Sequence, residues 1–293
     1  MKSNNNILTI GDIHGRDSWK EIIFGGNTEF FFWKQAVEEG YLDHEGKYKF
    51  QIDWDKIIFV GDYVDSYDLS DRTVLENLED IVLFAKTYPD LVVLLLGNHD
   101  IQYIVPNEWC SGYRSQMSFD LGKIFGDNKT LFRIAYLDEL ETEYKGTPYT
   151  LKTLWTHAGV SRGWYNELIS DMKRESFRHK KIFEGFENWK IDELINMAWE
   201  CRISNIYNVD HSSGGGSLYA GPLWIRPHIL NDMPLNGYDQ VMGHTPQADI
   251  YQFVYPGLDV ESNPTKNDIL TYVDVLAKLR KGYIIKRITD EEN

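Results

Sequence analysis

Five short apolar runs, each closed at once by a polar cluster, leave this chain few folds to choose from. Ile7-Leu8-Thr9-Ile10 leads into Gly11-Asp12, Ile57-Ile58-Phe59-Val60 into Gly61-Asp62, and Leu91 to Leu96 into Gly97-Asn98. Further on, Leu154-Trp155-Thr156 precedes His157, and Val241-Met242 precedes Gly243-His244. Runs of this length, apolar and closed by Gly, predict buried strands. The patterns over 72–86 and 184–201 predict helices between them, and strands alternating with helices indicate the α/β class. In open α/β sheets ligands bind beyond the carboxyl ends of the strands, so the five loaded turns are expected to converge on one site.

The first cluster is Gly11-Asp12-Ile13-His14-Gly15. Asp12 and His14 stand two apart after a strand, so both side chains can face one cation. The flanking glycines permit a sharp turn with backbone close to a ligand. In Gly61-Asp62-Tyr63-Val64-Asp65 the two oxygens of Asp62 can bridge two metals, while Asp65 is either a further ligand or the partner of a histidine. In Gly97-Asn98-His99-Asp100 the Asn98 amide oxygen suits a hard or borderline metal, and His99 is either a ligand or a proton donor. Single histidines follow, His157 in Thr156-His157-Ala158-Gly159 and His244 in Gly243-His244-Thr245. A lone histidine beside a strand is more often packed than ligating. Four of the eight histidines fall in these turns, and that concentration favours a metal site.

In this order, Gly-Asp-x-His-Gly, Gly-Asp-x-x-Asp, Gly-Asn-His-Asp, His-Ala-Gly and Gly-His-Thr resemble the calcineurin-like metallophosphoesterases. The motifs are most similar to the phosphoprotein-phosphatase branch, which includes bacterial and phage phosphatases and the diadenosine tetraphosphate hydrolases. The resemblance spans Gly11 to Thr245. It implies an α/β fold, a four-layer β-sandwich of two mixed sheets flanked by helices, with a dinuclear metal site at strand ends. It further implies that Asp12, His14 and Asp62 hold the first metal, and Asp62, Asn98, His157 and His244 the second. His99 would be the general acid and Asp65 its orienting carboxylate. A hydroxide bridging the metals would attack phosphorus in line while His99 protonates the leaving alkoxide. Oxygen and nitrogen donors without thiolate suit two divalent or trivalent ions, manganese first, with iron or zinc as alternatives.

One departure from the branch bears on substrate. Gly-Asp-x-x-Asp usually continues with Arg-Gly, whose arginine clamps the substrate phosphate, and here Ser66-Tyr67 stand instead. Replacement candidates are Arg226 in Leu223-Trp224-Ile225-Arg226-Pro227, then Arg114, then Arg16, each with an alternative reading as a surface ion pair. Asp100 also stands where the branch more often has Glu. The leading expectation is therefore hydrolysis of phosphomonoesters, phosphoprotein included. The missing arginine gives weight to diesters, cyclic nucleotides or dinucleoside polyphosphates, and a metal-binding scaffold without activity is the reading of another class.

Composition limits the rest. The net charge of −15 repels nucleic acid and anionic membrane, so the expected partner is a phosphorylated protein, nucleotide or small molecule. No apolar run nears the roughly 18 residues that span a bilayer, and the first ten residues hold no signal-peptide core. Two cysteines, Cys110 and Cys201, make no disulfide framework, and a cytoplasmic location is expected. A single domain over 1–293 is expected, with 165–201 largely helical and serving either as a cap or as crossover helices. Residues 269–288 read as two closing strands around Lys281-Gly282. Most aromatic residues are expected in the core, although Tyr63, Tyr67 and Tyr113 lie near the motifs and could stack a base or phenyl group.

Overall fold

The structure is a computed structural model, and it describes residues 5–24, 54–144, 146–178, 185–209, 214–255, 268–276 and 281–287. The chain divides into two compact units, one formed by 1–132 with 275–293 and the other by 133–274. Each carries its own mixed five-stranded sheet with helices, the α/β arrangement expected.

The first unit opens with β1 (Asn5–Ile10), α1 (Ser18–Phe24), β2 (Lys56–Phe59), α2 (Asp71–Thr87) and β3 (Val92–Leu95). A short helix α3 (Asn98–Ile101), α4 (Ser118–Asp127) and a two-residue strand β4 (Phe132–Arg133) follow. The sheet order is β10-β1-β2-β3-β4, where β10 (Tyr283–Arg287) is the chain's last strand and runs antiparallel to β1. β1, β2 and β3 are parallel, with Ile10 opposite Phe59 and Phe59 opposite Leu94. Their carboxyl ends are therefore level, and the three polar clusters leave the sheet along one edge.

Helix α2 shows why the sequence folds this way. Ser70 caps it by accepting from the Thr73 N–H, and its buried Val74, Leu78, Ile81 and Phe84 recur at helical spacing. The buried indole of Trp19 donates to Asn77 on α2 at 2.9 Å, and the Asn77 amide donates to the Arg16 carbonyl at 3.2 Å. The first polar turn is thus fastened to the helix behind it.

The second unit contains β5 (Ala135–Tyr144), β6 (Thr147–Thr156), α5 (Arg162–Arg178), α6 (Ile191–Glu200), α7 (Pro227–Leu230), β7 (Asp239–Met242), β8 (Tyr251–Tyr255) and β9 (Asp268–Tyr272). Its order is β5-β6-β7-β9-β8; β6, β7 and β9 are parallel, with the outer strands antiparallel to their neighbours. Asn196 and Asp192 on α6 accept from the N–H groups of Ile134, Ala135 and Leu137, covering the start of the edge strand β5.

Two sequence expectations need correction. The helix expected over 184–201 begins only at Ile191, because Gly185 sits at φ 73° and leads into a single 3-10 turn. Glu193 then accepts from the Lys190 N–H and starts the helix there. The two closing strands exist as β9 and β10, but they belong to different sheets and do not pair with each other. The 165–201 stretch is largely helical where described, residues 179–184 lying outside the described set. Among the described residues no helix is long and apolar enough to cross a membrane.

Candidate active site

In the first unit the clusters after β1, β2 and β3 are laced together through backbone. The N–H groups of Ile13 and His14 donate to the Asp62 carbonyl at 3.1 and 2.7 Å, and the Gly15 N–H donates to the Tyr63 carbonyl at 2.9 Å. Glycine is required where the second and third clusters meet. A Cβ on Gly61 would lie 2.4 Å from the Gly97 nitrogen, and one on Gly97 would lie 2.1 Å from the Asp62 carboxylate. Six non-glycine residues among those described hold positive φ, and His14, Asp62, Asp65 and His244 are four of them. Such backbone costs of order 1–3 kcal/mol per residue and persists where surrounding bonds over-determine it, which is common at functional sites.

Asp12 and Asp62, both buried, bring carboxylate oxygens within 4.8 Å of each other. The His14 Nδ1 lies 3.0 Å from the Val64 carbonyl, so it carries the proton, and Nε2 with its lone pair lies 3.7 Å from Asp62 Oδ2. Burial pushes the His14 imidazole down, outweighing the opposing pull of Asp62, so it is neutral at neutral pH. Two desolvated carboxylates facing a neutral imidazole form an anionic cluster of the kind that persists when it binds a cation. The residues fit a metal. Asn98 is also buried, at the start of α3.

His99 stands beside this cluster. Its N–H donates to Asp62 Oδ1 at 2.9 Å, and its Nδ1 lies 3.1 Å from Asp65 Oδ2. Burial works against a charged ring, but the Asp62 carboxylate and the Asp65 hydrogen bond outweigh it, and the imidazole is pushed up to about 12. A protonated His99 is what a general acid requires. The Cys110 thiol, to which the sequence reading gave no role, lies within 4.8 Å of the ligand atoms of both Asp65 and His99.

Asp100 proves to be a brace. Fully buried, it accepts from the Tyr63 N–H at 2.9 Å through one oxygen and from the Gly97 N–H at 2.8 Å through the other. Burial, and next the nearby Asp62, push its carboxyl well above the usual carboxylate range. Asp100→Ala would strand two buried N–H groups at about 1–3 kcal/mol each. Relief of repulsion with Asp62 offsets part, so a net loss of about 2–4 kcal/mol is expected. Urea unfolding of metal-free protein checks this, and an unchanged midpoint would rule out the brace.

In the second unit the clusters after the parallel strands β6 and β7 also share an edge. The Gly243 N–H donates to the His157 carbonyl at 2.8 Å, and the His157 and His244 rings meet edge to face with centroids 5.1 Å apart. The Trp224 ring stands 5.9 Å from His244. Arg226 donates from Nε to the Gly214 carbonyl at 3.0 Å and from Nη1 to the Thr245 hydroxyl at 3.3 Å, next to His244.

The other two arginines hold carboxylates. Arg16 binds Asp68 at 3.1 Å, and Arg114 binds Asp71 together with the Ser66 and Leu69 carbonyls. Of the three tyrosines, Tyr63 is wholly buried, Tyr67 is 78% exposed, and Tyr113 stacks on Tyr103 with centroids 5.2 Å apart. Sequence reasoning missed Gln102 and Tyr103, whose side chains both donate to Asp65.

Comparison with known proteins gives one family. A sequence profile described as calcineurin-like phosphoesterase matches residues 6–248. No curated protein matches the chain. Similar solved structures include a cold-active protein-tyrosine phosphatase of a psychrophilic Shewanella species, 14% identical, covering 97% of this chain and 76% of that one with a TM-score of 0.43. A second structure of a cold-active protein tyrosine phosphatase is 13% identical and covers 85% of this chain and 67% of that one, with a TM-score of 0.41. All five motifs lie inside the span matched by the profile, and the chain belongs to the calcineurin-like phosphoesterase family.

Proposed function

We propose that the chain is a metal-dependent phosphatase hydrolysing phosphomonoesters, phosphoproteins among them. Asp12, His14 and Asp62 would hold one metal, and Asp62, Asn98, His157 and His244 a second, an assignment resting on the motif order shared with the family. Bound there, the ions would supply an acidified water and neutralise charge on the phosphoryl group. His99 gives its proton to the departing alkoxide, and Asp65 holds the ring for that transfer. Arg226, whose Nη1 reaches the Thr245 hydroxyl next to His244, takes a phosphate oxygen. The observation that carries this reading is the His99–Asp65 pair set directly against the buried Asp62.

A second reading keeps the site and changes the substrate. Ser66 replaces the arginine that would clamp a terminal phosphate dianion, and its hydroxyl is turned to Asp68 at 2.7 Å. Diesters and dinucleoside polyphosphates need no such clamp. Protein stripped of metal and reloaded with manganese is expected to hydrolyse p-nitrophenyl phosphate in preference to the bis(p-nitrophenyl) ester. Preference for the diester would move the assignment to the second reading. Two bound metals with neither substrate cleaved would mean a more demanding natural ester, and failure to bind metal would leave a scaffold.

A further inference from the structure

The Asp65 carboxylate accepts from three side chains, His99, Gln102 and Tyr103. All four residues lie in the first unit, and Asp65, Gln102 and Tyr103 are buried. The two supporting donors are themselves oriented by the backbone of one loop. The Cys110 N–H donates to Gln102 Oε1 at 3.0 Å, so the other end of that amide, its NH2, must face Asp65. The Arg114 N–H donates to the Tyr103 hydroxyl at 2.9 Å, so the hydroxyl proton is turned to Asp65. With both oxygens of Asp65 filled by donors, the proton in its contact with His99 belongs to Nδ1, leaving Nε2 as the nitrogen that can give a proton to substrate. Asp65 is also a non-glycine residue at φ 64°, a conformation its surroundings must enforce.

We infer that Gln102 and Tyr103 are positioning residues for the general acid, fixing the Asp65 carboxylate so that the His99 ring is held in the geometry of proton transfer. The inference rests on the reading of His99 as acid and adds to it the two side chains, and the 110–114 loop behind them, that make the pair rigid. The Arg114 guanidinium binds the Ser66 carbonyl beside Asp65, which ties the same loop to the strand-end turn from a second point. Tyr103 can lose its hydroxyl without losing its place, because its ring stacks on Tyr113.

The test is the dependence of turnover on the leaving group. A p-nitrophenolate leaves as a stable anion and needs little help, whereas an alkoxide must be protonated as it departs. Tyr103→Phe and Gln102→Leu are each expected to lower kcat on an alkyl phosphate about tenfold more than on p-nitrophenyl phosphate, with KM little affected. His99→Asn, measured alongside, should show the same selectivity more strongly. Melting temperature identifies any variant that has lost its fold, and the other variant then decides. A steep effect in His99→Asn with equal losses on both esters in the folded positioning variants would overturn this inference alone. A flat effect in His99→Asn would overturn the acid assignment and this inference with it.

Discussion

Asp62→Asn is expected to lower turnover by about 10³-fold or more and to leave the protein short of metal after dialysis. The Asp62 carboxylate stands between the first and third polar clusters. Its Oδ1 accepts from the His99 N–H at 2.9 Å, its Oδ2 faces His14 Nε2 at 3.7 Å, and an Asp12 carboxylate oxygen lies within 4.8 Å. An amide of the same shape removes the charge and replaces one acceptor by an NH2 donor, which would oppose either the His99 N–H or a metal. The Asp62 backbone carbonyl that holds Ile13 and His14 is untouched, so the turn should survive. Metal analysis with circular dichroism separates these effects: folded protein deficient in metal and activity is the expected result. Full metal content with activity within tenfold of the parent would remove Asp62 from the centre of the site.

Much of the candidate site's framework is legible in the sequence because its parts are local. An apolar run followed by Gly-Asp carries both the strand and the turn in a handful of residues, and β1, β2 and β3 end at the last residue of those runs or one before it. What was illegible depends on contacts across many positions. Gln102 and Tyr103 meet Asp65 from 37 and 38 residues away, and no spacing rule connects them. The start signal of α3 was present in the sequence, since an acid three residues after Gly97 can cap the helix through the Gly97 N–H. Its partner Tyr63 was not visible, and so Asp100 was read as a variant of the motif rather than as a brace. Strand β5 was passed over for a different reason. Its run Asp138-Glu139-Leu140-Glu141-Thr142-Glu143 is rich in acid and has no long apolar stretch, yet β5 pairs antiparallel with β6 along all ten of its residues. The arginines show a further limit: no spacing rule pairs Arg114, one of the phosphate candidates, with Asp71 and the Ser66 carbonyl 43 and 48 residues away.

The second large effect is expected at His99. His99→Asn should cut kcat by about 10²–10⁴-fold on esters with poor leaving groups, the usual contribution of a positioned acid or base. Metal content should stay at the parent level, because the ring's hydrogen-bond partners are Asp65 and Cys110 and the bond from His99 to Asp62 is made by backbone, which the substitution keeps. The charge balance around the ring sets the pH dependence. Without metal, Asp62 is the strongest of the influences that hold the imidazole protonated, taking it up to about 12 against the cost of burial. A cation bound at Asp62 would cancel that influence and bring the ring down toward the pH at which it can both give and regain a proton. The alkaline limb of the pH–rate profile of the metal-loaded parent should therefore lie below 12, and it should vanish in His99→Asn. Loss of both metals and of the fold in His99→Asn would make His99 a structural ligand. A limb that survives the substitution would assign the titration to another group and deprive His99 of its role as acid.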